Sequence, residues 1–359
     1  MSERCREAGN SGLVRSFGRR PEYSSARRAP TRLDSVFLTC ARGREYHLPV
    51  RGASIPEPGA GGSASPNKRN YLSTIPNFAK RDLVDVDCAV CGGKRARVIG
   101  DDNGFAVRKC VEKSCGFVYV SPRPSKENLL KMYGDFDLQG AITPEALRSE
   151  MKGVIRDIAR WLMSRRSNGR VLDIGCSFGH LLSEMERRGW QTVGVDPSKV
   201  AVTYAKQRLK GTLLNVAFED ARLERGSFDA VVLLFVLEHV FDPRAFLQKC
   251  FDLLRPGGEV AIRVPRTEPL MPIRRFLGRS LMIAPLHLND FSPRTMRRLS
   301  RDLGFREFEC RVGSARHSPD PVERAGALLL GGIGRMLETI SRGTVLVPWT
   351  GSLSYRLIK

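Results

Sequence analysis

The stretch Val171-Leu-Asp-Ile-Gly-Cys-Ser-Phe-Gly-His-Leu-Leu182 decides the fold class of this chain. It begins as a short buried strand, Gly175 permits a sharp backbone turn, and a helix is predicted to begin near Gly179. Asp173 lies within the strand, and a second acid, Asp196, ends the next strand-like segment. A strand, a glycine turn, a helix and a second strand that ends in an acid are typical of α/β sheets that bind a nucleoside.

Apolar strand-sized segments and helical periodicities alternate on both sides of this stretch. Such alternation predicts an α/β, doubly wound fold in which helices cover both faces of a mostly parallel sheet. The predicted strands are 171–174, 192–195, 212–216, 228–234, 259–264 and 352–358. The predicted helices are 125–133, 144–166, 179–188, 198–209 and 243–254.

The glycine turn differs from the fingerprint of dinucleotide-binding proteins, whose Gly-x-Gly-x-x-Gly loop holds a pyrophosphate at a helix N-terminus. Here the glycine spacing is different, and Asp173 precedes the glycines. A carboxylate at this position would repel a pyrophosphate and attract a cation. S-adenosylmethionine carries an ammonium and a sulfonium group, so the charges favour it as the ligand.

Residues 170–264 resemble the class I S-adenosylmethionine-dependent methyltransferases. The resemblance rests on four blocks that occur in the order of that family, which are VLDIGCSFGHLL, VGVDPS, GSFDAVVLLFVLEHVFDP and LLRPGGEVAIRVP. It implies a Rossmann-like methyltransferase fold with a mostly parallel seven-stranded sheet, in a domain that spans 169–359.

Nine residues are candidates for cofactor binding, and they are Asp173, Gly175, Cys176, Gly179, Asp196, Phe218, Glu219, Leu234 and Phe235. The resemblance implies that Asp173, Gly175 and Cys176 surround the methionine part of the cofactor. Gly179 would let a ligand approach the helix. The resemblance also implies that Asp196 holds the ribose, that Phe218 and Glu219 lie beside the adenine, and that Leu234 and Phe235 close over the cofactor. Core packing is the alternative interpretation for Phe218, Leu234 and Phe235.

Four of the nine cysteines fall into two pairs, Cys88-Ala-Val-Cys91 and Cys110-Val-Glu-Lys-Ser-Cys115. Glycines beside each pair permit tight knuckles, and four thiolates at this spacing suit a tetrahedral zinc ion. We predict a small four-cysteine zinc ribbon over 85–122, with a closed and therefore structural metal site. Ordinary buried cysteines or redox pairs are the alternatives. The pattern does not fit a secreted disulfide framework, and it favours a reducing, cytoplasmic compartment.

The segments around the cysteines complete the predicted organisation. Residues 115–134 (CGFVYVSPRPSKENLLKMYG) resemble a zinc-ribbon region that precedes the methyltransferase domain in many bacterial small-molecule methyltransferases, including C-methyltransferases of nucleotide-linked deoxysugars. Residues 123–168 are predicted to form a helical connector. Residues 1–80 hold 14 basic and 6 acidic residues without a sustained apolar period. This composition predicts a disordered basic tail.

The net charge of +21 is compatible with a nucleic-acid or acidic partner. The chain has no run of five consecutive basic residues, which favours a solvated arginine-rich surface instead. It also has no apolar stretch of the roughly 18 residues that a membrane-spanning helix needs. We therefore predict no transmembrane segment.

Two histidines are candidate general bases because imidazole exchanges protons near neutral pH. His287 lies in His287-Leu-Asn-Asp-Phe-Ser292, which is similar to the Glu-His-x-x-x-Phe-Ser stretch of zinc-ribbon sugar methyltransferases. The histidine of that family stretch is the supposed base, but Leu286 replaces the acid that precedes it. His239 follows the predicted strand 228–234, at the rim where such sheets bind substrates. A hydrogen-bonded structural histidine is the alternative for each.

The apolar segment 270–283 carries three arginines, Arg274, Arg275 and Arg279. It predicts either a lid within an insertion at about 268–290, whose arginines bind an anionic group, or a surface amphipathic helix.

These features predict an S-adenosylmethionine-dependent methyltransferase that acts on an oxygen or carbon of a small metabolite such as a sugar, a lipid or a natural-product intermediate. The alternatives are an RNA methyltransferase with an N-terminal zinc finger and a non-catalytic cofactor-binding homologue. The segment after the strand 228–234 lacks the Asn/Asp-Pro-Pro-aromatic tetrad used to methylate exocyclic amines of bases. The segment after Cys115 also matches the small-molecule enzymes better, so nucleic acid is the less favoured partner.

Overall fold

The computed structural model describes residues 35–37, 47–49, 82–113, 115–135, 143–268, 271–276, 278, 280–313, 332, 333, 336, 340 and 352–359. Most of the tail predicted over 1–80 lies outside these residues. Among the helices that are described, none combines the length and the apolar character needed to cross a bilayer.

The strands are β1 (Ser35–Phe37), β2 (His47–Pro49), β3 (Leu83–Val84), β4 (Ala96–Asp102), β5 (Phe105–Cys110), β6 (Val118–Val120), β7 (Arg123–Pro124), β8 (Arg170–Ile174), β9 (Gln191–Val195), β10 (Thr212–Leu214), β11 (Phe228–Leu234), β12 (Leu254–Pro265), β13 (Asn289–Asp290), β14 (Glu307–Val312) and β15 (Ser352–Ile358). The α-helices are α1 (Lys126–Asp135), α2 (Pro144–Met163), α3 (His180–Glu186), α4 (Lys199–Lys206), α5 (Pro243–Leu253), α6 (Met271–Phe276) and α7 (Pro293–Asp302). Two 3-10 turns span Phe218–Asp220 and Leu237–His239.

Seven strands form the main sheet in the order β10-β9-β8-β11-β12-β15-β14. The first five are mutually parallel, whereas β15 runs antiparallel to both β12 and β14. The predicted α/β fold with a mostly parallel seven-stranded sheet is confirmed. The order reverses beside β8, so the carboxyl ends of β8 and β11 flank the crevice where sheets of this kind bind ligands.

Helix α2 covers one face of the sheet. Thr143 caps it, because its Oγ1 accepts a hydrogen bond from the Ala146 amide at 3.2 Å, and Pro144 occupies the first turn. Ile155 and Ile158 on its apolar face belong to one buried cluster with residues of β8 and β11. The helical connector predicted over 123–168 thus contains a helix that packs on the sheet, above the ends of its strands.

A second sheet contains the cysteine region, in the order β13-β6-β5-β4 with antiparallel neighbours. Its outer strand β13 comes from the insertion predicted over 268–290, and Asn289 pairs with Tyr119. The region predicted as a separate ribbon over 85–122 thus obtains one strand from the methyltransferase half of the chain. The ribbon and the 280–290 segment therefore form one structural element.

Candidate functional site

A cavity of about 450 Å³ opens at the carboxyl ends of β8, β9 and β11. This volume is typical of small-molecule sites. Ten of the eleven residues predicted for cofactor binding or catalysis line it, and they are Asp173, Gly175, Cys176, Asp196, Phe218, Glu219, Leu234, Phe235, His239 and His287. The walls also include apolar residues of α2, namely Leu147, Met151 and Ile155.

The turn after β8 approaches β9 and the loop after β11 closely. Gly175 has φ +71° and donates its amide to the Val195 carbonyl at 2.8 Å. A Cβ at this position would lie 2.7 Å from Cγ2 of Val236. Only glycine meets both demands without strain, so the sharp turn predicted from the sequence is present.

Asp196 ends the adjacent strand and organises this turn. One carboxylate oxygen accepts from the Ser177 amide and the other from the Ser198 amide, each at 2.8 Å. Ser177 has φ +47°, a conformation that is uncommon for a residue with a side chain. The carboxylate therefore stabilises a strained loop and also borders the cavity.

Asp173 is only 3% exposed, and its carboxylate accepts no hydrogen bond from any residue that the structure describes. Burial, together with the nearby charge of Asp196, raises its pKa well above the ordinary range. Two buried carboxyl groups at one end of a cavity favour a cationic ligand, because a positive charge offsets the cost of their ionisation.

The wall contributed by the Phe218–Asp220 turn is held by Lys249 on α5. The Lys249 ammonium donates to the carbonyls of Phe218 at 2.7 Å, Glu219 at 3.0 Å and Ala221 at 2.9 Å. Its Nζ also lies 4.7 Å from the centre of the Phe218 ring. Sequence reasoning missed this lysine, because a single lysine on a helix gives no local signal.

Leu234 and Phe235 form the wall at the end of β11. Phe235 has φ +58°, and its amide donates to the Arg263 carbonyl at 2.8 Å. Positive φ at a bulky residue is costly and clusters at functional sites. Both side chains are half-buried and pack against the buried cluster that includes residues of α2.

Gly179 does not line the cavity. It caps α3 with φ +75°, and a Cβ there would lie 2.4 Å from Cδ1 of Leu209. The glycine therefore permits close packing of α3 against the chain after α4. This differs from the predicted approach of a ligand to the helix start.

The two candidate bases, His239 and His287, lie side by side in the wall of the same cavity. Their ring centres are 4.7 Å apart, in an edge-to-face arrangement. His239 Nδ1 lies 2.8 Å from the Leu286 carbonyl, which can only accept, so Nδ1 carries the hydrogen and Nε2 is left as an acceptor.

Both imidazoles are held neutral. Burial lowers the pKa of His239 from 6.5 to about 4. Burial also lowers the pKa of His287 well below its usual range, and the neighbouring His239 and Arg274 add to this effect. His239 exposes 27% of its side chain, but it does so where it lines the cavity.

These pKa values predict a pH-dependent contribution to stability. Because the folded state favours the neutral imidazole, the contribution of His239 is complete above pH 6.5 and is lost as the pH falls from 6.5 to about 4. We expect the unfolding free energy of the wild type minus that of His239→Gln to decline over this interval in urea titrations. A difference that is constant with pH would contradict the assignment.

Among the residues that the structure describes, two groups of side chains could hold a metal ion. In the ribbon, Cys88 Sγ lies 3.5 Å from Cys115 Sγ, and Cys91 Sγ lies 3.6 Å from Cys110 Sγ. All four sulfurs lie within 4.8 Å of one another, and a tetrahedral zinc site needs sulfur separations of about 3.8 Å.

The second group is Glu238, His239 and His287, whose potential ligand atoms lie within 4.8 Å of one another. Glu238 is 1% exposed, and its Oε1 lies 3.9 Å from His239 Nε2. The sequence alone gives no signal that Glu238 is buried. The 3-10 turn that contains it points the carboxylate inward.

A sequence model of the family described as "Methyltransferase domain" matches residues 146–308. The chain contains a methyltransferase domain. This confirms the resemblance inferred from the four sequence blocks, and the domain includes the whole of β8 to β12 with the connecting helices.

Curated relatives of this methyltransferase domain are ubiquinone biosynthesis O-methyltransferases. That of Alkalilimnicola ehrlichii is 33% identical over 120 residues, which cover 32% of this chain and 49% of the relative. That of Xanthomonas axonopodis pv. citri is 34% identical over 136 residues, which cover 35% of this chain and 57% of the relative. The chain thus spans about half the length of these relatives.

Among solved structures, the chain is similar to a SAM-dependent methyltransferase from Archaeoglobus fulgidus. The two are 20% identical with a TM-score of 0.40, and the match covers 58% of this chain and 97% of the other.

Proposed function

We propose that this protein transfers the methyl group of S-adenosylmethionine to an oxygen of a small, largely apolar acceptor. The observation that carries the proposal is one cavity lined both by two buried acids and by two neutral histidines. The relatives in ubiquinone biosynthesis are named O-methyltransferases, which favours oxygen over carbon as the acceptor atom.

The acidic end of the cavity fits the proposed cofactor. Asp173, which has no hydrogen-bond donor among the described residues, would bind the cationic amino-acid part, and Asp196 would accept hydrogen bonds from the ribose. Phe218 would face the adenine, and Phe235 would cover the cofactor from the end of β11. When bound, the sulfonium of this cofactor supplies an electrophilic methyl group.

The histidine end of the cavity provides the proton chemistry. We assign His287 as the general base that accepts the proton of the acceptor hydroxyl, with His239 beside it. The His239 ring donates Nδ1–H to the Leu286 carbonyl, which fixes its orientation. The apolar residues Ile283 and Leu286 line the same cavity.

The cysteines have a separate role in this proposal. We assign one structural Zn²⁺ to Cys88, Cys91, Cys110 and Cys115. Their backbone knuckles support the assignment, because Gly92 donates to the Cys88 carbonyl at 2.7 Å and Cys110 donates to the Phe117 carbonyl at 2.8 Å. Four thiolates leave no open coordination position for substrate.

The proposed activity is tested by titrating purified full-length protein with S-adenosylmethionine and then assaying methyl transfer from the labelled cofactor. The acceptor panel contains phenols, catechols, sugar nucleotides and bulk tRNA and rRNA. We expect saturable cofactor binding and transfer to a hydroxyl of a small acceptor. Transfer to RNA alone, transfer to carbon, or cofactor binding without transfer to any acceptor would contradict the proposal.

Asp196→Ala is expected to weaken cofactor binding by roughly 1–3 kcal/mol, because it removes a charged hydrogen-bond acceptor. It also frees the Ser177 amide, so the loop loses its anchor. Calorimetric titration measures the change in Kd. Asp220→Ala is the matched control, since that carboxylate is exposed and does not line the cavity. An unchanged Kd for Asp196→Ala would refute the ribose assignment.

A further inference from the structure

The 280–290 segment places His287 in the cavity, and it contains little regular structure of its own. Contacts from other parts of the chain therefore determine its shape. The Leu288 amide donates to the Glu238 carbonyl at 2.7 Å, and the Leu288 carbonyl accepts from the Val120 amide at 2.9 Å. The segment is thus held between the Leu237–His239 turn and the ribbon.

The tip of the β4–β5 hairpin binds this segment through one carboxylate. Asp102 is 3% exposed, and its Oδ1 accepts from the Leu281 amide at 2.9 Å. Its Oδ2 accepts from the Ser280 hydroxyl at 3.0 Å, the Met282 amide at 2.8 Å and the Ala284 amide at 3.0 Å. Backbone donors clustered in this way form a concavity that binds an anion.

The turn bound in this way is strained. Ile283 has φ +71°, which is a genuine outlier for a β-branched residue, and its side chain lines the cavity. The Ser280 hydroxyl accepts from the Ile283 amide at 2.7 Å, and the Asn103 side chain donates to the Ala284 carbonyl at 2.7 Å. The hairpin tip therefore stabilises a conformation that the turn would not keep alone.

The strained turn leads directly to the candidate base. The amide of His287 donates to the Ile283 carbonyl at 3.2 Å. The Ile283 amide donates to the Ser280 hydroxyl, and that hydroxyl donates to Asp102. A series of hydrogen bonds therefore joins the ribbon carboxylate to the backbone amide of His287, the residue that carries the candidate base.

We propose that Asp102 is a positioning residue for methyl transfer, and that the ribbon acts as part of the acceptor site by fixing the turn that orients His287. This inference rests on the proposed function, because it takes His287 as the base. It gives the zinc ribbon a role in acceptor use in addition to stability.

The first test replaces Asp102 with Asn, which puts an amide NH₂ among backbone donors without changing size. We expect kcat/KM for the acceptor to fall about 10- to 100-fold, since small displacements of a catalytic group are costly. The Kd for S-adenosylmethionine should not change, because Asp102 does not line the cavity. Asp101→Asn, on the same hairpin and exposed, is the matched control and should behave as wild type.

A second measurement does not depend on activity. In protein labelled with ¹³C and ¹⁵N at histidine, the His287 ring signals at pH 7.5 should shift in Asp102→Asn and remain in place in Asp101→Asn. Ser280→Ala, which removes one donor, should produce a smaller shift and a smaller loss of kcat/KM. If Asp102→Asn does not fold, Ser280→Ala serves as the test of the positioning role.

The two failures are distinguishable. If His287→Gln leaves methyl transfer intact, the proposed base is wrong, whereas the ring signals still show whether Asp102 orients His287. Unchanged signals and unchanged kcat/KM in both Asp102→Asn and Ser280→Ala would overturn the positioning role. An equal loss from Asp102→Asn in wild-type and His287→Gln backgrounds would also overturn it, because residues that act through one another are not additive.

Discussion

Replacement of His287 by Gln is expected to lower kcat by about 10²- to 10⁴-fold, which is the usual contribution of a positioned general base. Gln retains a polar side chain of similar length but cannot accept a proton. Cofactor affinity should remain near that of wild type, because the proposed cofactor contacts are made by Asp173 and Asp196 and not by His287. Steady-state kinetics with the identified acceptor, together with calorimetry, measure both quantities.

His239→Gln provides the comparison for that experiment. If His287 is the base, we expect His239→Gln to be the milder variant. A larger loss from His239→Gln than from His287→Gln would transfer the role to His239. A third outcome is that activity requires an added divalent cation and that Glu238→Gln abolishes activity as fully as the histidine variants do. That outcome would instead assign Glu238, His239 and His287 as metal ligands.

Cys115→Ser is expected to remove the zinc ion and to lower the free energy of unfolding by several kcal/mol, because metal binding in a small ribbon is a large part of its folding energy. The wild type should contain one zinc per chain by elemental analysis. The loss should extend beyond the ribbon, since β6 pairs with β13 and fixes the 280–290 segment. Methyl transfer should therefore fall together with the metal content.

Cys310→Ser is the matched control for this prediction, because Cys310 is half-buried on β14 and lies outside the four-sulfur group. It should retain zinc and nearly all of the stability. Folded, active wild-type protein without zinc, or a Cys115→Ser variant as stable as Cys310→Ser, would contradict the zinc assignment.

The sheet was largely predictable because its central strands are continuous apolar runs between clear turn signals. The strand 228–234 was predicted with the same limits that the structure gives to β11. The edge strand β14 was missed because its residues are mostly half-exposed and give no continuous apolar run. The early start of β12 was missed because Arg255-Pro-Gly-Gly258 has the composition of a turn, although Leu254 already pairs with Phe228.

The acidic end of the site was predictable because its residues lie at strand ends, where the topology brings them together. The roles of Asp102 and Lys249 were not, because the groups they bind lie far away in the sequence. The shared sheet of the ribbon and the 280–290 segment was hidden for the same reason. Only tertiary structure shows that β13 belongs beside β6.

The central claim is that the crevice beside β8 binds a cationic adenosyl cofactor, and a crystal structure with S-adenosylhomocysteine tests it most directly. We expect ribose hydroxyls within hydrogen-bond distance of Asp196, the amino-acid ammonium beside Asp173, and the sulfur facing His287 across the cavity. A crevice that stays empty at saturating ligand, or that binds a pyrophosphate-bearing dinucleotide in its place, would contradict it.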